Sequence, residues 1–216
     1  MKFDKGIARK YRKSIDEAFE AIVANGNDEH SRVANAILDS KMLVRVLPVR
    51  QVNASGVTGL IDAGDTNDRI KDERLSTREA FDEIYIAIAE ETIDTGGQRG
   101  CEGTFVHEGR HAFDFAQTIE SFSDADVNPL SIFDPTLYEL EWEAHRTSGE
   151  YMLRVARDEY IEEGIQLLIL DNNAEHGCFL NEEGIRTRLQ NNYGLNADAN
   201  PGPRASELLG LRQRWM

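Results

Sequence analysis

His107-Glu108-Gly109-Arg110-His111 is the one short stretch of this 216-residue chain whose residue types and spacing have a specific chemical use. On a helix, residues four apart share a face, so His107 and His111 present both imidazoles to one ion. Neutral imidazole is a strong Zn2+ ligand, and Glu108 stands beside the ion, placed to take a proton from a water that the ion activates. The same pattern also arises by chance on solvated helices, so its weight depends on what surrounds it.

The surroundings begin with Glu83 to Ala89, the clearest strand of the chain, where Ile84, Ile86 and Ile88 fall on one face by strict alternation. A loop at Thr95-Gly96-Gly97 and Gly100 leads from it into the motif helix, which is expected to run to about Glu120. A metal site with an open position for water needs a third protein ligand. Tyr138-Glu139-Leu140-Glu141-Trp142-Glu143-Ala144-His145 offers three carboxylates on the next helix. Leu137, Leu140, Ala144, Ser148, Tyr151, Met152 and Val155 define the buried stripe of that helix. At ~100° per residue Glu141 falls within the stripe, whereas Glu139 and Glu143 point to the polar side with Arg146 and Glu150. A carboxylate on an apolar face needs a partner, either a divalent cation or a buried base such as Arg110. Asp114, one turn beyond His111, is either an orienting group for that imidazole or a solvated side chain.

The remaining elements read as follows. Ser14 with Glu17 forms a capping-box pattern ahead of Ile15, Ala18, Phe19, Ile22 and Val23, and Phe3, Ile7 and Tyr11 extend the spacing backwards. Asn25-Gly26 stops this helix, and a second covers His30 to about Ser40, with His30 read as a solvated surface residue. Leu43 to Leu47 and Gly56 to Ile61 read as strands, Asp62 to Arg69 as a turn or loop, and Ser76 with Glu79 as a helix start. Ser121 to Phe133 reads as a loop. Asp134-Pro135 starts a helix running from Thr136 to about Glu163 and ending at Gly164. Ile165 to Leu170 fits strand or helix, Asn181 caps a helix carrying Ile185 and Leu189, Asn196 to Arg204 is a loop, and Ser206 to Arg214 forms a last helical turn or two.

The motif, its spacing and the later glutamate together resemble the zincin metallopeptidases of the gluzincin type, in which His-Glu-x-x-His on one helix is completed by a glutamate on a later helix. Glu141-Trp142-Glu143-Ala144 fits the Glu-x-x-Ala pattern common among them. The chain is also similar to the small metallopeptidase domains of bacterial toxins and effectors. The resemblance covers roughly residues 30 to 160. It implies an α+β fold: a minimal zincin-like domain with helices on a small twisted sheet, the motif on a central helix, and a mainly helical C-terminal part. It implies Zn2+ held by His107, His111 and Glu141, with Glu108 as general base. It also implies a peptide or protein substrate that adds to the sheet at strand Ile84 to Ala89, taken as the edge. His145 and Tyr151 are the candidates to stabilise the oxyanion. Gly109 departs from the pattern, where an apolar residue is usual; it weakens a helix by about 1 kcal/mol and would admit a close helix–sheet contact.

Bulk properties are consistent with one domain spanning 1–216, with a core at about 30–163 and a C-terminal extension of unassigned role at 164–216. The net charge of −15, from 39 acidic and 24 basic side chains, argues against nucleic acid as a partner. The charged start and the lack of any ~20-residue apolar run argue against a signal peptide and a membrane span, so a cytoplasmic location is the default, with export as an effector the alternative. Cys101 and Cys178 read as reduced thiols, a single disulfide being the alternative. Oligomeric state is not legible. Two other readings keep the sequence but not the chemistry: a non-catalytic zincin-like binding or regulatory module, and a helical interaction protein carrying the motif by accident.

Overall fold

The computed structural model describes residues 1–212. The chain opens with a two-residue strand, β1 (Lys2–Phe3), followed by helices α1 (Arg9–Asn25) and α2 (Asp28–Asp39). Phe3 therefore belongs to the sheet, and α1 starts at Arg9, ahead of the expected capping box. With the helix already under way, Ser14 turns its hydroxyl back to the Lys10 carbonyl instead of capping. Strand β2 (Leu43–Leu47), the short helix α3 (Val49–Val52) and strand β3 (Gly56–Leu60) come next. Asp62 to Arg69 is not a loop. Asp62 accepts from the Gly64 and Asp65 amides and so caps helix α4 (Ala63–Asp72), whose only buried residues are Thr66 and Ile70. Helix α5 (Thr77–Phe81) begins at the Ser76–Glu79 capping box as expected.

Strand β4 (Ile84–Ala89) lies inside the sheet, whose order is β1-β2-β4-β3. It pairs parallel to β2 and antiparallel to β3, with Thr58 opposite Ile86. The expectation that Ile84 to Ala89 is the edge is thus corrected: β3 folds back over it, and β3 is the outer strand. Ile84, Ile86 and Ile88 are fully buried and join the main core with Phe81, Phe105 and Ile119.

Helix α6 (Glu90–Ser123) follows β4 without a loop and carries the motif through the core. The glycine cluster kinks this helix instead of forming a loop. Gly97 alone leaves helical geometry, at φ 60° and ψ −148°, a conformation that a glycine adopts without a Cβ penalty. A loop with a short 3-10 turn leads to α7 (Leu137–Val155). Its cap is Thr136, which accepts from the Glu139 amide while the Glu139 side chain reaches back, so Asp134 is not the cap residue. The helix ends at Ala156, in the left-handed region at φ 50°, and a separate helix α8 (Asp158–Gln166) replaces the expected continuation to Glu163. A hairpin of β5 (Leu170–Asn173) and β6 (Gly177–Leu180) precedes α9 (Glu182–Arg188), capped by Asn181. A π-turn over Leu189–Tyr193 and helix α10 (Ala205–Leu209) complete the described chain; Gln213 and Arg214 lie outside it. The protein is α+β, with its helices packed on a four-stranded mixed sheet plus the hairpin. Ile169, Leu170, Ile185, Leu189, Leu195, Ala205 and Leu209 add the later segments to the same core. No helix among the described residues is long and apolar enough to cross a membrane.

Candidate metal centre

Helices α6 and α7 face each other, and each contributes residues one turn apart: His107 and His111 from α6, Glu141 and His145 from α7. The Nε2 atoms of His107 and His111 are 3.2 Å apart. Glu141 reaches both, with Oε2 3.6 Å from His107 Nε2 and Oε1 3.6 Å from His111 Nε2. Bonds of about 2.0–2.1 Å to a tetrahedral ion require donor atoms about 3.3 Å apart. The two imidazole nitrogens meet that spacing, and Glu141 stands one carboxylate oxygen near each of them. The set therefore fits a divalent ion held by two imidazoles and a carboxylate. Glu141 Oε2 is buried without a hydrogen-bond partner, as expected of an atom awaiting a cation.

The other two carboxylates of α7 are committed elsewhere. Glu139 closes the capping box with Thr136, and Glu143 accepts from Arg146 at 2.7 Å. Arg110 does not meet Glu141. It makes a bidentate pair with Asp114, at 3.0 and 2.9 Å, and a further pair with Glu29 of α2. Asp114 is thereby buried as an arginine partner and does not orient His111, whose Nδ1 has no hydrogen-bond partner. Burial pushes the Asp114 carboxyl up to about 6 against the pull of Arg110, which leaves it charged at neutral pH.

Burial disfavours the charged form of every imidazole here. It lowers His111 to about 4, assisted by His107, and His145 to about 3, so both are neutral with lone pairs to offer. Burial also opposes charge on His107, but Glu141 and Glu108 outweigh it and the net shift is upward. Glu141 resists its own burial through the three histidines and falls to about 2.

Glu108 is buried and belongs to the same cleft. Thr58 on the outer strand β3 holds it, with Oγ1 2.7 Å from Glu108 Oε2 and 3.1 Å from its main-chain oxygen. Gly56, two residues earlier on the same face, admits this approach: a Cβ there would stand 2.6 Å from Thr104 Cγ2 and 2.8 Å from Glu108 Cγ. Burial raises the Glu108 carboxyl, offset in part by His107 and Thr58. Gly109 answers to a different contact from the one expected. Its missing side chain faces Ile37 and Val33 of α2, so it serves a helix–helix contact and not a helix–sheet one.

The cleft has a volume of about 770 Å³ and runs along residues 54–59 past the metal cluster. His145 lines it, buried, with Nε2 3.8 Å from Glu141 Oε2 and otherwise unpartnered. Tyr151 does not serve this site, because its hydroxyl lies 2.8 Å from Glu102 Oε2, where Tyr160 also binds. Thr58, Arg188 and Tyr193 are among the lining residues that the sequence did not mark; Arg188 immediately precedes the π-turn and Tyr193 ends it. His30 is not solvated. Its Nδ1 accepts from the Asn27 amide at 3.0 Å, and its Nε2 lies 2.9 Å from the Thr147 carbonyl, which ties α2 to α7. Both cysteines are free thiols. His107, His111 and Glu141 form a possible metal-binding group, with their ligand atoms all within 4.8 Å of one another. No protein family, curated protein or solved structure matches the chain.

Proposed function

We propose that the chain is a zinc-dependent metallopeptidase of the gluzincin type. The observation that carries this reading is the coincidence of a His107–His111–Glu141 set, its ligand atoms all within 4.8 Å of one another, with Glu108, a carboxylate that is no part of that set yet lines the same cleft. A purely structural ion site has no use for a base held beside it. Zn2+ bound there would supply Lewis acidity toward a carbonyl and acidify a water.

The protein's own residues do the rest. Glu108, fixed by Thr58, accepts the water proton and returns it to the leaving amine. His145, which lines the cleft and whose Nε2 has no hydrogen-bond partner, donates to an oxygen that gains negative charge. An extended peptide pairs with the free side of β3, whose backbone runs along the cleft beside Glu108.

The test is hydrolysis of a mixed peptide pool by the zinc-loaded protein, analysed by mass spectrometry, against Glu108→Gln. The variant should retain stoichiometric zinc and its fold while turnover drops by roughly two to four orders of magnitude. Equal turnover in a fully loaded Glu108→Gln sample would remove Glu108 from the mechanism.

A further inference from the structure

The sequence offers no reason to pair Arg188 with Tyr193. Five residues apart on an α-helix they would diverge by about 140°, at ~100° per residue. At Leu189 the helix changes period, and the π-turn, which bonds i to i+5, brings positions five apart onto one side. It closes at Gly194, which takes φ 68°, and both residues then line the metal cleft. Such turns recur at functional sites.

Arg188 makes no ion pair among the described residues, and its Nε is buried without a hydrogen-bond partner. The other cation of the cleft, Arg99, is matched by Glu163 at 2.8 Å. Tyr193 sets its ring 6.1 Å from that of His145, which places this turn at the metal end of the cleft, where Arg188 shares the lining with His107, Glu108, Glu141 and His145. A half-buried guanidinium that no carboxylate among the described residues pairs, in a protein of net charge −15, stands out, because acidic partners abound. With five donors in a planar fork, it is suited to take a carboxylate bidentately.

Resting on the metallopeptidase reading and extending it to substrate choice, we propose that Arg188 and Tyr193 form an anion subsite that binds a carboxylate of the peptide next to the bond to be cut. The carboxylate is either the C-terminus, which would make the protein favour bonds near chain ends, or an acidic side chain within a longer peptide.

Binding to metal-free protein tests this without any hydrolysis. Three probes suffice by calorimetry: acetyl-Ala-Ala-Ala with a free C-terminus, its C-terminal amide, and acetyl-Ala-Asp-Ala-amide. At least one carboxylate-bearing probe should bind about 10-fold or more tightly than the neutral amide, and which one it is distinguishes the two sources. Arg188→Gln should erase that difference and Arg188→Lys should restore part of it. Equal binding of all three probes by the wild type, no binding of any, or an undiminished preference in a folded Arg188→Gln protein would overturn the proposal. The comparison of probes on the wild type stands even if the variants do not fold. A carboxylate preference in a protein that hydrolyses nothing when zinc-loaded would instead sink the peptidase reading and leave the subsite in place.

Discussion

At the scale of single residues, the centre depends on which of three glutamates on one helix faces inward. Glu141 lies against both histidines, so Glu141→Ala should cost most of the zinc after dialysis against a weak chelator. Glu143→Ala should keep it, since Glu143 serves Arg146. Glu139→Ala should also keep its zinc but lose about 1 kcal/mol of stability, because Glu139 closes the capping box of α7. Zinc loss in Glu143→Ala with retention in Glu141→Ala would contradict the assignment. The phase of Glu141 was legible because the stripe of Leu140, Ala144, Ser148 and Met152 is long and regular. His30 was illegible for the opposite reason. Its partner, Thr147, lies on another helix far along the chain, and nothing local distinguishes a buried latch from a surface histidine.

At the scale of elements, two glycines do different work on opposite sides of α6. Gly56→Ala would drive a Cβ into Thr104 and Glu108, so it should destabilise by about 1–3 kcal/mol and lower turnover by displacing the base. Gly109→Ala meets the tip of Ile37 at 3.3 Å and Val33 at an ordinary 3.5 Å, and gains about 1 kcal/mol of helix propensity, so its net effect should be small. Thermal melts of the two variants, read beside their activities, check both outcomes. Strands and capped helices were readable from alternation and from side chains such as Ser76 and Asn181. Helix α4 was not, because only Thr66 and Ile70 are buried and its periodic signal is faint. The π-turn was invisible for a related reason, since patterns sought at 3.6 residues miss a pair spaced by five.

At the scale of the whole molecule, the buried histidines tie stability to pH. His111 and His145 titrate near 4 and 3 in the folded metal-free protein, against 6.5 when unfolded. Their contribution is complete above about 6.5 and is lost as pH falls from there toward the folded values, because the unfolded chain then binds more protons. His107 and the carboxyls of Asp114 and Glu108, all shifted upward, favour the folded state as pH falls and offset part of this. Urea unfolding of metal-stripped protein should therefore show a loss on the order of 2 kcal/mol between pH 7 and pH 5. Saturating zinc should shrink that loss near neutral pH, where the ion competes with protons for the same nitrogens. No loss in the stripped protein would mean that these imidazoles are not buried neutral.

The outer strand that holds Glu108 has one further consequence. Gly56-Val57-Thr58-Gly59-Leu60 contains no proline and no charged residue to discourage pairing along its free side, the usual protection of an exposed strand. A charged residue on that side would protect against self-association and, on the metallopeptidase reading proposed above, would obstruct an incoming peptide. A second copy of the chain presents the same five residues, and two such strands meeting about a twofold axis would shut both clefts at once. Left unprotected, that side is open to any extended chain, a second copy included.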